Sequence, residues 1–440
     1  MNMSKKVLVA GAGAAGMCAA IMAARQGADV TLFEKNDIAG KKISMTGNGR
    51  CNLTNEAMSP SCYNLSAQGR MGDFLNRFGV SDTIDFMKSL GVVTQSEEGY
   101  IYPLSGQAVT VQNALFDEVK RLGIEYISGR QLKKITPLGD SKGFEVKASG
   151  ETYAADAVII ATGGLSGPKS TMSTGDSYYI AKSLGMEVTK TYPALAALLS
   201  DDKDLPKEYG VRMMANVSIE EIDDLCEYGE VQITSKGISG IPVLQLSGRV
   251  AQYLDLISRD NGNNKDSSNC VDKNKTQTKN AVIDKNSNKV TAVLDFFPSY
   301  SDDEFENMKK DISGMAEGKS FIQVLDGICN HLIGVMILGR CGIDQNAVVG
   351  KGDFDKLCSI INEFRKVRIS ICGVSDYTSS QVTKGGVSLD DLSDDLESLK
   401  TPGVYVVGEL TDVDGRCGGY NLQWAFTSGS IAGKAAACMN

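Results

Sequence analysis

The chain has 440 residues, 42% hydrophobic and 22% charged, with a net charge of −9. That length supports two or three domains with a sizeable core, and an acidic balance without a dense basic run disfavours nucleic acid as a partner. A single histidine, His331, argues against a Ser-His-Asp triad or a multi-histidine metal site, and eleven cysteines without a C-x-x-C pair give no support to zinc, iron–sulfur or dithiol chemistry.

The chain opens with "VLVAGAGAAGMCAAIMAA", an uncharged stretch directly after Lys5 and Lys6. A basic start and small apolar residues superficially fit a signal peptide or a membrane helix. The glycines point elsewhere. Gly11, Gly13 and Gly16 have G-x-G-x-x-G spacing after a short strand, Val7 to Ala10. The first glycine makes a tight turn, the second lets a diphosphate approach the backbone, and the third lets the helix pack on the strand. The helix start then presents free N–H groups and a partial positive charge to the diphosphate. Next comes "ADVTLFEK", a second strand ending in Glu34, 18 residues after Gly16. An acidic residue there accepts hydrogen bonds from an adenosine ribose. The unit reads as a complete βαβ dinucleotide site. Without a signal peptide, the cysteines are expected to be reduced thiols in the cytoplasm, with no membrane partner.

Residues 1–190 continue as alternating strands and helices, an α/β pattern. "FLNRFGVSDTIDFMKSLGV" and "VTVQNALFDEVKRLG" have helical periodicity. "EYISGR", "FEVKAS" and "TYAADAVIIATGG" read as strands, the last ending in Thr162, Gly163 and Gly164. From 191 to 369 the texture suggests an inserted β-rich domain with a small helical part. Residues 259–290 are rich in Asn, Lys, Asp and Ser and read as a mobile surface insertion. Ser301 is the expected N-cap of "DDEFENMKKDIS". His331, in "CNHLIGVMIL", is expected to be structural. Residues 370–440 return to nucleotide-binding style, with the strand "GVYVVGE" and a glycine-rich loop entering a small-residue helix.

Three features favour FAD over NAD as the bound cofactor. The fingerprint lies at the start of the chain. The long loop "KNDIAGKKISMTGNGRCN" could run along a larger cofactor. The 400–440 segment returns with strand, Gly-Glu and a helix start at "GGYNLQ", able to aim N–H groups at the flavin N1/C2=O edge. No second G-x-G-x-x-G marks a dedicated NAD(P)H domain.

The stretches "GKKISMTGNGRCNLTN", "YIYPLSGQAVTV", "STGDSYYIAKSLG", "TSKGISGIPVLQLSGR", "QVTKGGV" and "GVYVVGELTDVDGRCGGYNLQWAFTSGSIAG" resemble successive signatures of the BaiN/RdsA-type family of NAD(P)/FAD-dependent oxidoreductases. That family includes bile-acid-pathway reductases and an aminoacetone oxidase. The resemblance spans nearly the whole chain and implies a Rossmann-like FAD domain of the glutathione reductase and fumarate reductase superfamily, with β-rich and small helical insertions. It implies that Gly11, Gly13, Ala14, Ala15 and Gly16 hold the diphosphate, with Glu34 on the adenosine ribose and Lys35 beside it. Lys42, Thr46, Gly47, Asn48, Arg50, Cys51 and Asn52 are expected to border the flavin. Ala161, Thr162 and Gly163 close the adenosine side. Glu409, Asp414, Gly419, Asn421, Leu422 and Gln423 are expected along the ribityl chain and pyrimidine edge.

Candidates for chemistry at the flavin are Arg50, Cys51, Tyr102 and Lys384, each with a plainer alternative as loop brace, packed thiol, wall residue or turn residue. The leading expectation is an NAD(P)H-dependent reductase of an activated C=C bond in a small apolar substrate, steroid-like or other. An oxygen-using amine oxidase and a flavin-bearing redox sensor without turnover are the alternatives.

Overall fold

The computed structural model describes residues 4–139, 143–207, 209–262 and 288–438. Most of the polar insertion expected over 259–290 therefore lies outside the described residues. The chain forms two compact units. One runs to Pro193 and resumes at Tyr377; the other is Ala194–Asp376.

The first unit is built on a five-stranded parallel sheet. Its strands lie in the order Val404–Val406, Ala157–Ile160, Lys6–Ala10, Asp29–Phe33, Glu125–Ile127. The central strands are apolar along nearly their whole length, because both faces of a parallel sheet are covered. The first helix, Ala14–Arg25, is rich in alanine, and the terminal helix, Tyr420–Ala437, packs along it. Small residues allow that approach. A side chain on Gly429 would stand 2.4 Å from the Ala15 carbonyl oxygen, and one on Gly433 would stand 2.3 Å from that of Ala19.

Two stretches divide where an unbroken element was expected. "TYAADAVIIATGG" forms two strands, Glu151–Ala155 and Ala157–Ile160, in different sheets. Asp156 lies between them, and its carboxylate accepts the Lys6 N–H at 2.7 Å. The first strand completes a small antiparallel sheet with Leu132–Pro137 and Phe144–Ala148. The stretch "FLNRFGVSDTIDFMKSLGV" breaks at Gly79, between helix Leu65–Arg77, which starts before it, and helix Val80–Ser89. There Asp82 accepts the Gly79 N–H at 2.8 Å, satisfying a donor at the new helix start.

The second unit holds a closed six-stranded barrel. Its strands are Leu198–Ser200, Gly237–Ser239, Cys226–Thr234, Val211–Ile219, Val290–Asp295 and Val367–Val374, in barrel order. Val211–Ile219 and Val290–Asp295 bury alternate residues, as barrel walls do. Helix Ile241–Gly262 packs on the barrel. Helices Asp302–Gly314, Phe321–Leu325, His331–Arg340 and Phe354–Glu363 form the helical part. Ser301 caps the first of these in a reciprocal box with Glu304. His331 is exposed, with Nδ1 2.9 Å from Asp326. Among the described residues no helix is long and apolar enough to cross a membrane.

Candidate functional site

The site begins where the first strand ends. Gly11 has φ +107°, and a side chain there would lie 2.5 Å from the Ala161 carbonyl oxygen. On Gly16 it would lie 1.8 Å from the Gly11 carbonyl oxygen. Both positions are therefore closed by the protein's own packing. Gly13 differs. Its backbone is ordinary, with φ −82° and ψ −169°, and a side chain there would meet no atom within 4 Å. No side chain caps this helix, and its first turn has no acidic residue. Uncapped first-turn N–H groups, the positive end of the helix and free space together fit a phosphate group.

Glu34 is buried beside this loop. Its Oε2 accepts the Ala12 N–H at 2.8 Å, and its Oε1 accepts the Asn36 N–H and side-chain amide at 2.9 and 2.7 Å. A carboxylate offers about four acceptor positions, so capacity remains for a ribose hydroxyl. An open cleft runs alongside, lined by Gly11, Glu34, Lys35, Thr162 and Thr174 among others. Lys35 donates to Thr174 Oγ1 at 3.0 Å, and burial lowers its pKa against the opposing pull of Asp176. The Thr162 hydroxyl is buried without a hydrogen-bond partner. A buried orphan hydroxyl costs free energy unless something fills the site. These features fit an adenine dinucleotide.

A second set of residues gathers around Glu409. Lys42 pairs with Glu409 Oε2, and Oε1 accepts the Thr383 N–H at 2.9 Å. Asp414 lies 3.4 Å from Lys384. Burial pushes the Asp414 carboxyl up, with Lys384 opposing, and Asp412 behaves alike. The 43–50 turn carries Thr46, Gly47 and Asn48, and Asn48 is left-handed at φ 57°. Gly47 lies against Asn52 and Tyr102, and Asn52 against Gly419. Arg50 binds Glu97 and stacks 4.2 Å over the Tyr102 ring. Burial raises the Tyr102 phenol pKa, with Arg50 opposing. The structure thus brings Arg50 and Tyr102 together, while Lys384 is engaged by Asp414.

Other expected site residues are held by the protein itself. Cys51 is wholly buried, and burial pushes its thiol up to about 12, which favours the uncharged thiol. Gln423 is wholly buried as well. Its amide bonds Thr83, Phe78, Gly79 and Thr427, so its side chain braces the elements around it. The Asn421 side chain closes its own loop, accepting the Gly415 N–H at 2.8 Å and donating to the Gly415 and Arg416 carbonyls. Leu422 is partly buried against the core. Gly419 has φ +96°, and a side chain would lie 2.6 Å from the Thr54 carbonyl oxygen, so packing alone demands glycine. Sequence reasoning did not single out Thr383 or Asp412, which the structure places at this site. Thr383 sits beside Lys384 in "QVTKGGV", but nothing in that string marks its hydroxyl as buried.

Parallel sheet, glycine turn and open helix start define a Rossmann-like FAD-binding fold. The chain matches the HI0933-like protein Rossmann domain over residues 5–435 and belongs to that family. It is 34% identical over 440 residues to a 3-dehydro-bile acid delta(4,6)-reductase of Clostridium scindens, covering 98% of this chain and 99% of that protein. It is 26% identical over 430 residues to a ribosomal RNA dihydrouridine synthase of Escherichia coli, covering 96% and 95%. A solved 3-ketosteroid-delta4-(5alpha)-dehydrogenase from Rhodococcus jostii RHA1 shares the fold, with a TM-score of 0.50 at 14% identity over 100% of this chain and 98% of that one. The chain is an FAD-dependent oxidoreductase of this family.

Proposed function

We propose that the protein is an NAD(P)H-dependent reductase that saturates a C=C bond conjugated to a carbonyl in an apolar, steroid-like small molecule. The observation that carries this reading is the full-length likeness to a protein named as a bile-acid delta(4,6)-reductase. The name dihydrouridine synthase also denotes saturation of a ring C=C bond beside a carbonyl. The net charge of −9 favours the small molecule over RNA. A reducing cytoplasm is part of the same proposal.

In this reading the diphosphate lies on Gly11, Gly13, Ala14, Ala15 and Gly16. Glu34 takes the ribose, with Lys35 beside it, and Ala161, Thr162 and Gly163 close that side. Lys42, the turn 46–52, Glu409, Asp414 and the helix start at Gly419 border the flavin. FAD supplies the hydride chemistry when bound. The chain must supply a donor toward the substrate carbonyl and a proton for the adjacent carbon. Arg50 keeps its charge at every working pH, and the Tyr102 beneath it stays a phenol. Lys384, backed by Asp414, is the other proton donor.

The test is anaerobic mixing with NADH or NADPH, followed by a 3-oxo steroid acid with conjugated double bonds. Reoxidation of the flavin with gain of two hydrogens per bond supports the proposal. Peroxide release with an amine as reductant points to an amine oxidase. Turnover only with unmodified ribosomal RNA points to the nucleic-acid branch, and reduction without any saturable acceptor points to a sensor.

A further inference from the structure

Thr383 is wholly buried between the two ends of the site. Its N–H donates to Glu409 Oε1 at 2.9 Å, and Glu409 pairs with Lys42. Its hydroxyl oxygen accepts the Leu165 N–H at 2.7 Å and the Ser166 N–H at 3.2 Å. The Ser166 hydroxyl stands 3.2 Å away and continues to Ser380 at 2.8 Å. A side chain on Gly164 would lie 2.5 Å from the Thr383 hydroxyl and 2.8 Å from Glu409 Oε1. The loop backbone is therefore pressed against both residues. This same loop starts with Thr162, whose hydroxyl is buried without a partner, and ends where the Gly167 N–H donates to the Tyr377 carbonyl at 2.8 Å.

One hydroxyl thus receives two consecutive main-chain donors from the loop on the adenosine side, while its own backbone holds the carboxylate on the flavin side. We propose that Thr383 is a positioning residue for the cofactor, setting Thr162 and Gly163 in register with Glu409 and Lys42. The proposal rests on the FAD reading of these residues. Valine matches threonine in shape but accepts no hydrogen bond, so Thr383→Val strands both loop donors. Serine keeps the acceptor.

The experiment titrates FAD into apoprotein and measures the FAD-induced rise in melting temperature for the wild type, Thr383→Val and Thr383→Ser. Thr383→Val is expected to weaken FAD binding about tenfold or more and to shrink the rise, since a bound ligand stabilises by its affinity. Thr383→Ser is expected to stay within about threefold of the wild type. Wild-type affinity in Thr383→Val, or equal loss in both variants, overturns the proposal. A merely structural hydroxyl would lower the melting temperature of the apoprotein and leave the FAD-induced rise intact. Should Thr383→Val not fold, hydrogen exchange on the wild type decides. The Leu165 and Ser166 amides should gain protection when FAD binds, and unchanged protection overturns the proposal. A wild-type protein that binds no FAD fails earlier, at the titration itself, and that failure belongs to the cofactor reading.

Discussion

The two glycine-marked helix starts of the first unit look alike in sequence and differ in what demands their glycines. At Gly419 the backbone is left-handed, and a side chain would strike the Thr54 carbonyl oxygen. At Gly13 the backbone suits any residue, and a side chain would enter empty space. A crowded glycine reports on the protein's own packing. A glycine in open space beside uncapped helix N–H groups reports on a ligand. The first helix start therefore carries the stronger structural argument for a bound phosphate, and at the second the glycine is already required by the close approach to Thr54.

Substitution at the open glycine should break this pairing most sharply. Gly13→Asp places a carboxylate where the diphosphate is proposed to lie, and like charges in contact cost several kcal/mol. FAD affinity should fall by about a thousandfold or more. Aspartate is also a good N-cap, so the apoprotein should melt no lower than the wild type. Retained FAD in the variant would return Gly13 to the class of packing glycines. Gly419→Ala should act in the opposite way. Left-handed strain costs about 1–3 kcal/mol, and overpacking about as much again. Denaturant unfolding of the apoprotein should show a loss of about 2–6 kcal/mol. A variant of full stability that has lost FAD would reverse the comparison.

Glu34→Ala sharpens the ligand side of the contrast. It removes charge-assisted acceptance at the ribose position and at the Ala12 and Asn36 amides. The expected cost to FAD binding is about 1.5–3 kcal/mol, or roughly ten- to over a hundredfold in affinity. Equilibrium titration of the folded variant checks it, and wild-type affinity would contradict the ribose role.

The smallest effect is expected at Cys51. Its thiol is raised from 9.0 to about 12 by burial. The folded state therefore holds this proton more tightly than the unfolded chain does. The associated stability is fully present below pH 9 and is lost as the pH climbs toward about 12. At pH 8 iodoacetamide should label the exposed Cys226 and Cys372 and spare Cys51. Cys51→Ser should leave the rate of flavin reduction unchanged. Labelling of Cys51 in the native protein, or a slowed reduction, would restore a redox role.

Much of the fold could be read locally. The strand and helix around Gly11–Gly16 and the strand ending at Glu34 were legible because period, glycine spacing and an acidic strand end are properties of neighbouring residues. The Ser301 cap was legible for the same reason. The breaks at Asp156 and Gly79 were not. Each stretch keeps one apolar pattern across the break, and at each junction a carboxylate satisfies a backbone N–H. The flavin-side residues were reached through resemblance, and their side chains then sorted themselves by burial. Arg50 and Tyr102 meet, Cys51 and Gln423 sink into the core, and Asn421 turns back on its own loop.

The sequence by itself determined that a dinucleotide fingerprint opens this chain and that a glycine-rich strand and helix return near its other end. Local spacing encodes such turns and caps directly. Only the tertiary structure decided which glycines serve a ligand, which carboxylate Lys42 meets 367 residues away, and which hydroxyl holds the 164–166 loop from 218 residues away. Those outcomes depend on burial and on partners brought together by the folded sheet, and no local pattern carries either.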